Sequence, residues 1–220
     1  MSSVRGVLFD LDGTLVNSAP DIANAAQHML SQLDLPPVHP KAIEKWVGNG
    51  LPQFIKRVLT GEMEDEPDPS LFQRATPIFL DFYQENVCVD SHLYSGATEL
   101  LQALTNADLK LAIVTNKANN CTIELLKQIG IHDYFSSIIC GDTCENKKPH
   151  PQPIQLALQQ LDLVPEETLM VGDSAHDVNA ANAAGIPALV VDYGYAQGVN
   201  LSTLNTLAVI SELNEISNFV

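Results

Sequence analysis

Val7-Leu8-Phe9-Asp10-Leu11-Asp12-Gly13-Thr14-Leu15-Val16 is the stretch that decides how this chain folds. The apolar run from Val7 to Phe9 reads as a buried strand. It ends on two carboxylates two residues apart, then a glycine, then a hydroxyl. Side chains at i and i+2 of an extended chain point the same way, so Asp10 and Asp12 are expected to face one crevice. Two carboxylates at the end of a buried strand cost stability unless something uses them. A metal ion and a phosphoryl group would use them. Taken alone, the stretch also fits a strand running into an Asp-Gly turn with solvated carboxylates, so the rest of the chain has to decide.

Downstream, residues 16–90 read as all-helical. Asp21 to Asp34 places Ile22, Ala25, Ala26, Met29, Leu30 and Leu33 on one helical stripe, which Pro36, Pro37 and Pro40 end. A second stretch begins near Lys41, with Ile43, Trp46 and Val47 on one side. Gly48-Asn49-Gly50 interrupts it as a tight turn with exposed amides. Further helices are expected over Leu51 to Leu59 and from Leu71 to Phe82. After residue 90 the pattern becomes strand–helix alternation. Strands are expected at Leu109 to Val114, Ser137 to Cys140, Thr168 to Val171 and Pro187 to Val191, with a short last one at Leu207 to Ile210. Apolar strands separated by amphipathic helices predict a doubly wound α/β fold with a parallel sheet covered on both faces. The expected division is a core of residues 1–15 and 91–220, with a helical segment, 16–90, inserted after the first strand.

In open α/β sheets, ligands sit at the carboxyl ends of the strands. Asp10 and Asp12, Thr115 and Asn116, and Asp173 all stand where expected strands end, so they should share one pocket. Composition narrows the ligand. The formal net charge of the 220 residues is −16, which disfavours binding to a nucleic-acid backbone or an anionic membrane. An anionic substrate must be held by local cations and N–H groups. Cys88, Cys121, Cys140 and Cys144 lack the paired spacing of a zinc site. The sequence shows no signal-like N-terminus and no apolar run of membrane-spanning length, so a cytoplasmic monomer or homodimer is expected.

Four pieces stand in order: Asp10-Leu-Asp12-Gly-Thr14, Val114-Thr115-Asn116, Lys148-Pro149, and Gly172-Asp173-Ser174-x-x-Asp177. Together they resemble the haloacid dehalogenase-like superfamily of phosphohydrolases, over nearly the whole chain. Singly, each has an ordinary reading as a helix cap, a surface lysine or a turn. The resemblance implies Asp10 as nucleophile and Asp12 as the acid and base for the leaving group and water. Thr115 and nearby amides, with Gly13, Thr14 and Asn116, would hold the phosphoryl oxygens, and Lys148 would offset charge on Asp10. It implies Mg2+ held by Asp10, Asp173 and the backbone carbonyl of Asp12, with Asp177 behind them as a more distant ligand or as a helix N-terminal charge partner. A cation near Asp10 would keep that carboxylate charged and leave the proton to Asp12.

The helical insert resembles the cap of this superfamily, which implies closure over the site. Gly48, Asn49 and Gly50 would then face substrate, with Lys45 and Arg57 as candidate anion holders. His150 and His176 read as loop histidines without a catalytic part. Within the superfamily the chain looks most like bacterial phosphoglycolate phosphatases, on Asp10 to Pro20, Trp46-Val-Gly-Asn-Gly-Leu51, Val114-Thr-Asn-Lys117, Asn146-Lys-Lys-Pro-His-Pro151 and Tyr193-Gly-Tyr195. Asn17 and Ala175 depart from that pattern, where acidic and basic residues are usual. The expected substrate is a small phosphorylated metabolite, phosphoglycolate first. A sugar-phosphate or nucleotide phosphatase or phosphomutase, a dehalogenase and a non-catalytic phosphate-binding module are the alternatives. The intact Asp12, Gly13 and Asp173 speak against the last two.

Overall fold

The sheet forms where the sequence is most apolar. In the computed structural model, which describes residues 4–196 and 198–220, strand β1 is Gly6–Phe9, buried at every position. A short strand β2 (Val16–Asn17) follows, then helices α1 (Ala19–Gln32), α2 (Pro40–Glu44), α3 (Leu51–Thr60) and α4 (Pro69–Glu85), then a second short strand, β3 (His92–Leu93). Alternation then takes over: α5 (Ala97–Asn106), β4 (Lys110–Val114), α6 (Asn119–Gln128), β5 (Ser137–Ile139), α7 (Gln152–Leu161), β6 (Thr168–Gly172), α8 (Ala175–Ala184), β7 (Ala188–Val191) and β8 (Ala208–Ile210). Among the described residues no helix is long and apolar enough to cross a membrane.

Six strands make one sheet in the order β5-β4-β1-β6-β7-β8, parallel at every described pairing. Val7 and Phe9 point into one apolar cluster, with Leu101 of α5 and Leu125 of α6. Leu8 points into the opposite cluster, with Ala157 of α7 and Val178 of α8. That is the two-residue period of a strand covered on both faces, and it is the expected doubly wound α/β architecture.

β1 sits at the point where the winding reverses, with β4 on one side and β6 on the other. Phe9 is level with Ile113 and with Val171. The three strands therefore end nearly together, on Asp10, Thr115 and Asp173. A reversal of strand order opens a crevice at those carboxyl ends.

Two expectations are corrected here. Residues 16–90 are not wholly helical, because Val16 pairs with Leu93 and Asn17 with His92 in an antiparallel ribbon. Two residues are too few to carry a periodic signal. The helix expected from Lys41 through Val47 stops at Glu44, so Trp46 and Val47 are buried from a turn instead.

Asp21, in the first turn of α1, closes the return path. Its buried carboxylate accepts from the amides of Val89 (2.9 Å), Asp90 (2.9 Å) and Ser91 (2.8 Å) and from the Ser91 hydroxyl (2.6 Å).

Candidate active site

A cleft of about 610 Å3, counting its mouth, opens above the ends of β1 and β4. Asp10, Asp12, Thr115, Asn116, Lys117 and the Gly48 and Gly50 backbone form its polar side, and side chains of α3 and α4 form an apolar side.

Asp10 follows directly on β1 and is buried. Lys148 Nζ donates to its Oδ1 at 2.8 Å, to Asp177 Oδ1 at 2.6 Å and to the Val114 carbonyl at 2.5 Å, so all three ammonium hydrogens are in use. Burial drives the Asp10 carboxyl up to about 6, against the pull of Lys148 and with help from the Asp177 and Asp12 charges. Burial opposes the Lys148 charge, but Asp10 and then Asp177 hold its pKa above the ordinary value.

Asp12 has a lysine of its own. Lys117 Nζ donates to its Oδ1 at 3.0 Å and its Oδ2 at 3.2 Å, and the Ser18 hydroxyl donates to Oδ1 at 2.5 Å. Lys117 also donates to the Tyr83 hydroxyl of α4. Burial works against the Lys117 charge, yet Asp12 and Tyr83 raise its pKa above the usual lysine range. The expected cation stands beside Asp10, but Asp12 has one too, so the nearness of a cation does not by itself separate the two carboxylates. The side chain of Lys117, two residues beyond Thr115, reaches back over the strand end.

Asp173 follows β6. Its Oδ2 accepts from the Tyr195 amide at 2.6 Å. Burial, then the Asp10 and Asp177 charges, raise its carboxyl well above the ordinary range. Two glycines make room for it. A Cβ on Gly13, whose φ is +88°, would lie 2.3 Å from Asp173 Oδ2, and one on Gly194 would lie 2.3 Å from Asp173 Cβ. Asp177 stands in the first turn of α8. It closes a capping box on α8, with Oδ2 accepting from the Ser174 amide (3.1 Å) and hydroxyl (2.6 Å), while Oδ1 faces Lys148.

One oxygen from each of Asp10, Asp173 and Asp177 lies within 4.8 Å of the others, all three residues buried. Burial and mutual repulsion push two of these three carboxyls upward. An all-oxygen set in that condition suits a hard divalent cation.

The other expected site residues divide. Thr115 lines the cleft, with Oγ1 accepting from the Lys117 amide at 3.2 Å. Asn116 lines it too, but its polar atoms are taken by backbone: Nδ2 donates to the carbonyls of Gly48 and Lys148 (3.0 Å each), and Oδ1 accepts from the Lys148 amide (3.0 Å). Gly13 and Thr14 are not among the lining residues. The Thr14 hydroxyl is buried without a hydrogen-bond partner among the described residues. Lys45 is exposed and away from the lining. Arg57 is buried and turned into the helical layer, donating to the carbonyls of Met63 (3.0 Å) and Trp46 (3.2 Å) and to Asn49 Oδ1 (2.8 Å). Asn49 in turn stands 2.6 Å from His176 Nε2, a core contact to the Gly48–Gly50 turn. Burial lowers the pKa of that imidazole.

Lys117, Tyr83, Ser18 and Tyr195 are the residues that sequence reasoning gave no part. Lys117 stood in the Val114-Thr-Asn-Lys117 stretch, and Tyr195 beside Gly194. The Tyr195 hydroxyl accepts from the amides of Ser18 (3.0 Å) and Ala19 (2.9 Å) and donates to Asn17 Oδ1 (2.9 Å). Tyr83 carried no signal, because on α4 it reads as core beside Phe79.

The family model for haloacid dehalogenase-like hydrolases matches residues 7–191. A phosphoglycolate phosphatase of Thiobacillus denitrificans is 42% identical over 217 residues, 99% of this chain and 96% of the relative. One from Nitrosococcus oceani is 42% identical over 97% of this chain and 95% of its own. The crystal structure of a predicted phosphoglycolate phosphatase from Haemophilus somnus 129pt superposes with a TM-score of 0.92 at 32% identity, covering 100% of this chain and 99% of that one.

Proposed function

The chain belongs to the haloacid dehalogenase-like hydrolase family, and from that premise we propose that it is a divalent-metal-dependent phosphomonoesterase acting on 2-phosphoglycolate. The observation that carries the chemistry is the buried Asp10 carboxylate, held by Lys148 at the meeting point of three strand ends. The relatives at 42% identity supply the substrate.

In this reading an Asp10 oxygen attacks phosphorus, and the phosphorus–ester oxygen bond breaks. The departing alkoxide takes a proton from Asp12, giving glycolate and an aspartyl-phosphate. Asp12 then accepts a proton from water as that water attacks phosphorus. The acyl-phosphate bond breaks, inorganic phosphate leaves and Asp10 is restored. Lys148 offsets the charge of Asp10, while the Thr115 hydroxyl and neighbouring amides face the charge on the phosphoryl oxygens. Asn116 is a positioning residue for Lys148. Asp10, Asp173 and the Asp12 carbonyl would hold Mg2+, with Asp177 behind them. The ion, when bound, neutralises phosphoryl charge and aligns the ester with Asp10.

The segment α1–α4 is a cap that excludes water, and Gly48 and Gly50 of its turn line the cleft together with Phe79 and Tyr83 of α4. The test is phosphate release across a panel of small phosphomonoesters, with Mg2+ or with chelator. 2-Phosphoglycolate should lead and fall to background with chelator, and Asp10→Asn should lose about 10^4-fold or more. A sugar phosphate leading the panel would keep the chemistry and discard the substrate. Turnover retained in Asp10→Asn would discard the nucleophile.

A further inference from the structure

Lys117 is the one basic side chain among the described residues that line the cleft. Beyond Asp12 the wall is apolar: Ile22, Val47, Leu51, Phe54, Phe79 and Leu80. Lys148, the other buried ammonium, is held behind Asp10 by Asp10, Asp177 and the Val114 carbonyl and does not line the cleft. A substrate with a second anionic group in this cleft must find a counter-charge, because an unpaired buried carboxylate is costly.

Substrate length decides where that counter-charge has to be. In 2-phosphoglycolate the carboxylate is joined to the ester oxygen through a single carbon. That ester oxygen must come within about 2.6–3.2 Å of Asp12 to receive its proton. The carboxylate is then confined to the immediate surroundings of Asp12. Lys117 Nζ, hydrogen-bonded to both Asp12 oxygens, occupies those surroundings. The Tyr83 hydroxyl, brought by α4, is bonded to the same ammonium.

We propose that Lys117 and the Tyr83 hydroxyl form the binding site for the substrate carboxylate, selecting esters whose second anionic group stands one carbon from the ester oxygen. This rests on the phosphoglycolate reading. Lys117 thereby links the proton-delivering residue to the group that identifies the substrate, and Tyr83 places half of that recognition on the helical segment.

Lys117 could instead serve only to orient Asp12, and the test separates the two roles. Ethyl phosphate keeps the two-carbon chain and the leaving oxygen but lacks the carboxylate. With Mg2+ present, kcat/KM is measured for 2-phosphoglycolate and ethyl phosphate in wild type, Lys117→Met, Tyr83→Phe and Lys147→Met. Lys147 is the comparison cation. It is half-buried, and its Nζ is 3.0 Å from where a Cβ on Gly50 would stand.

The wild type should prefer 2-phosphoglycolate. Lys117→Met should cut that preference by about 10-fold or more, the scale of a charged hydrogen bond. Tyr83→Phe should cut it in the same direction, mainly through KM. Lys147→Met should retain it. Equal losses for both esters in Lys117→Met would reduce Lys117 to a holder of Asp12 and overturn the proposal. Loss of preference in Lys147→Met alone would move the carboxylate to the rim and also overturn it. A wild type without preference for 2-phosphoglycolate would overturn both this inference and the substrate reading. If Lys117→Met does not fold, Tyr83→Phe carries the same comparison.

Discussion

Asn116 grips Lys148 by both of its main-chain groups, although 32 residues separate them. The amide of one side chain thus fixes the loop that delivers the buried ammonium to Asp10. The same Nδ2 reaches the Gly48 carbonyl. Asn116→Ala leaves buried amide and carbonyl groups without partners, which costs about 1–3 kcal/mol each. The urea midpoint should fall accordingly. Turnover should fall by about 100-fold, the effect of a displacement near 1 Å in a reacting group.

Lys148 stands between two buried carboxylates, so its removal strands charge as well as a contact. Lys148→Met should destabilise the fold by about 3–5 kcal/mol, the usual cost of breaking a buried pair from one side. In the double variant Lys148→Met/Asp177→Asn, part of that loss should return, since one stranded charge is gone. Equal stability of the single and double variants, by chemical denaturation, would contradict the pairing.

The acidic cluster gives the metal-free protein a pH dependence whose sign can be worked out. Asp10 rises from an ordinary 3.8 to about 6 on folding, and Asp173 moves the same way. A folded-state pKa above the unfolded value means stability fully present below about pH 4 for these groups, lost for Asp10 as pH climbs through about 6 and for Asp173 as pH climbs through its own raised pKa. In chelator, their contribution should raise the melting temperature between pH 7 and pH 5, and Asp173→Asn should flatten that slope. Added Mg2+ should stabilise most at the higher pH, because protons compete with a cation for the same oxygens.

Thr14 supplies a test of packing. Its hydroxyl is buried without a partner among the described residues, and valine has nearly the same shape. Thr14→Val should raise stability by about 1 kcal/mol, or about 2–4 °C in melting temperature for a chain of this size. A fall instead would mean that the hydroxyl is satisfied in solution.

The strands of the sheet and the groups at their ends were legible because both follow from local pattern. Apolar runs closed by Asp10, Thr115 and Asp173 mark a parallel sheet and its active edge together. What stayed hidden depends on side-chain reach and on contacts far apart in sequence. Lys117 was visible as a residue, but its turn back toward Asp12 is a property of the folded strand end. Arg57 looked like an anion holder because an arginine in a helical insert has no sequence mark of burial. The carbonyls of Trp46 and Met63 that draw it inward belong to turns outside its own helix. Tyr83 was masked by its apolar neighbours, and the β2–β3 ribbon by its length.

That ribbon bears on how such a protein can be rebuilt. Val16–Asn17 and His92–Leu93 run side by side, so the chain departs from the sheet and comes back through one doorway. Whatever lies between need only begin and finish a strand's width apart. The sheet registers on either side do not depend on how long or how folded that intervening chain is. Substitutions between the two strands that keep Ser18 on Asp12 and Tyr83 on Lys117 are therefore expected to change the walls of the cleft without moving the reacting carboxylates.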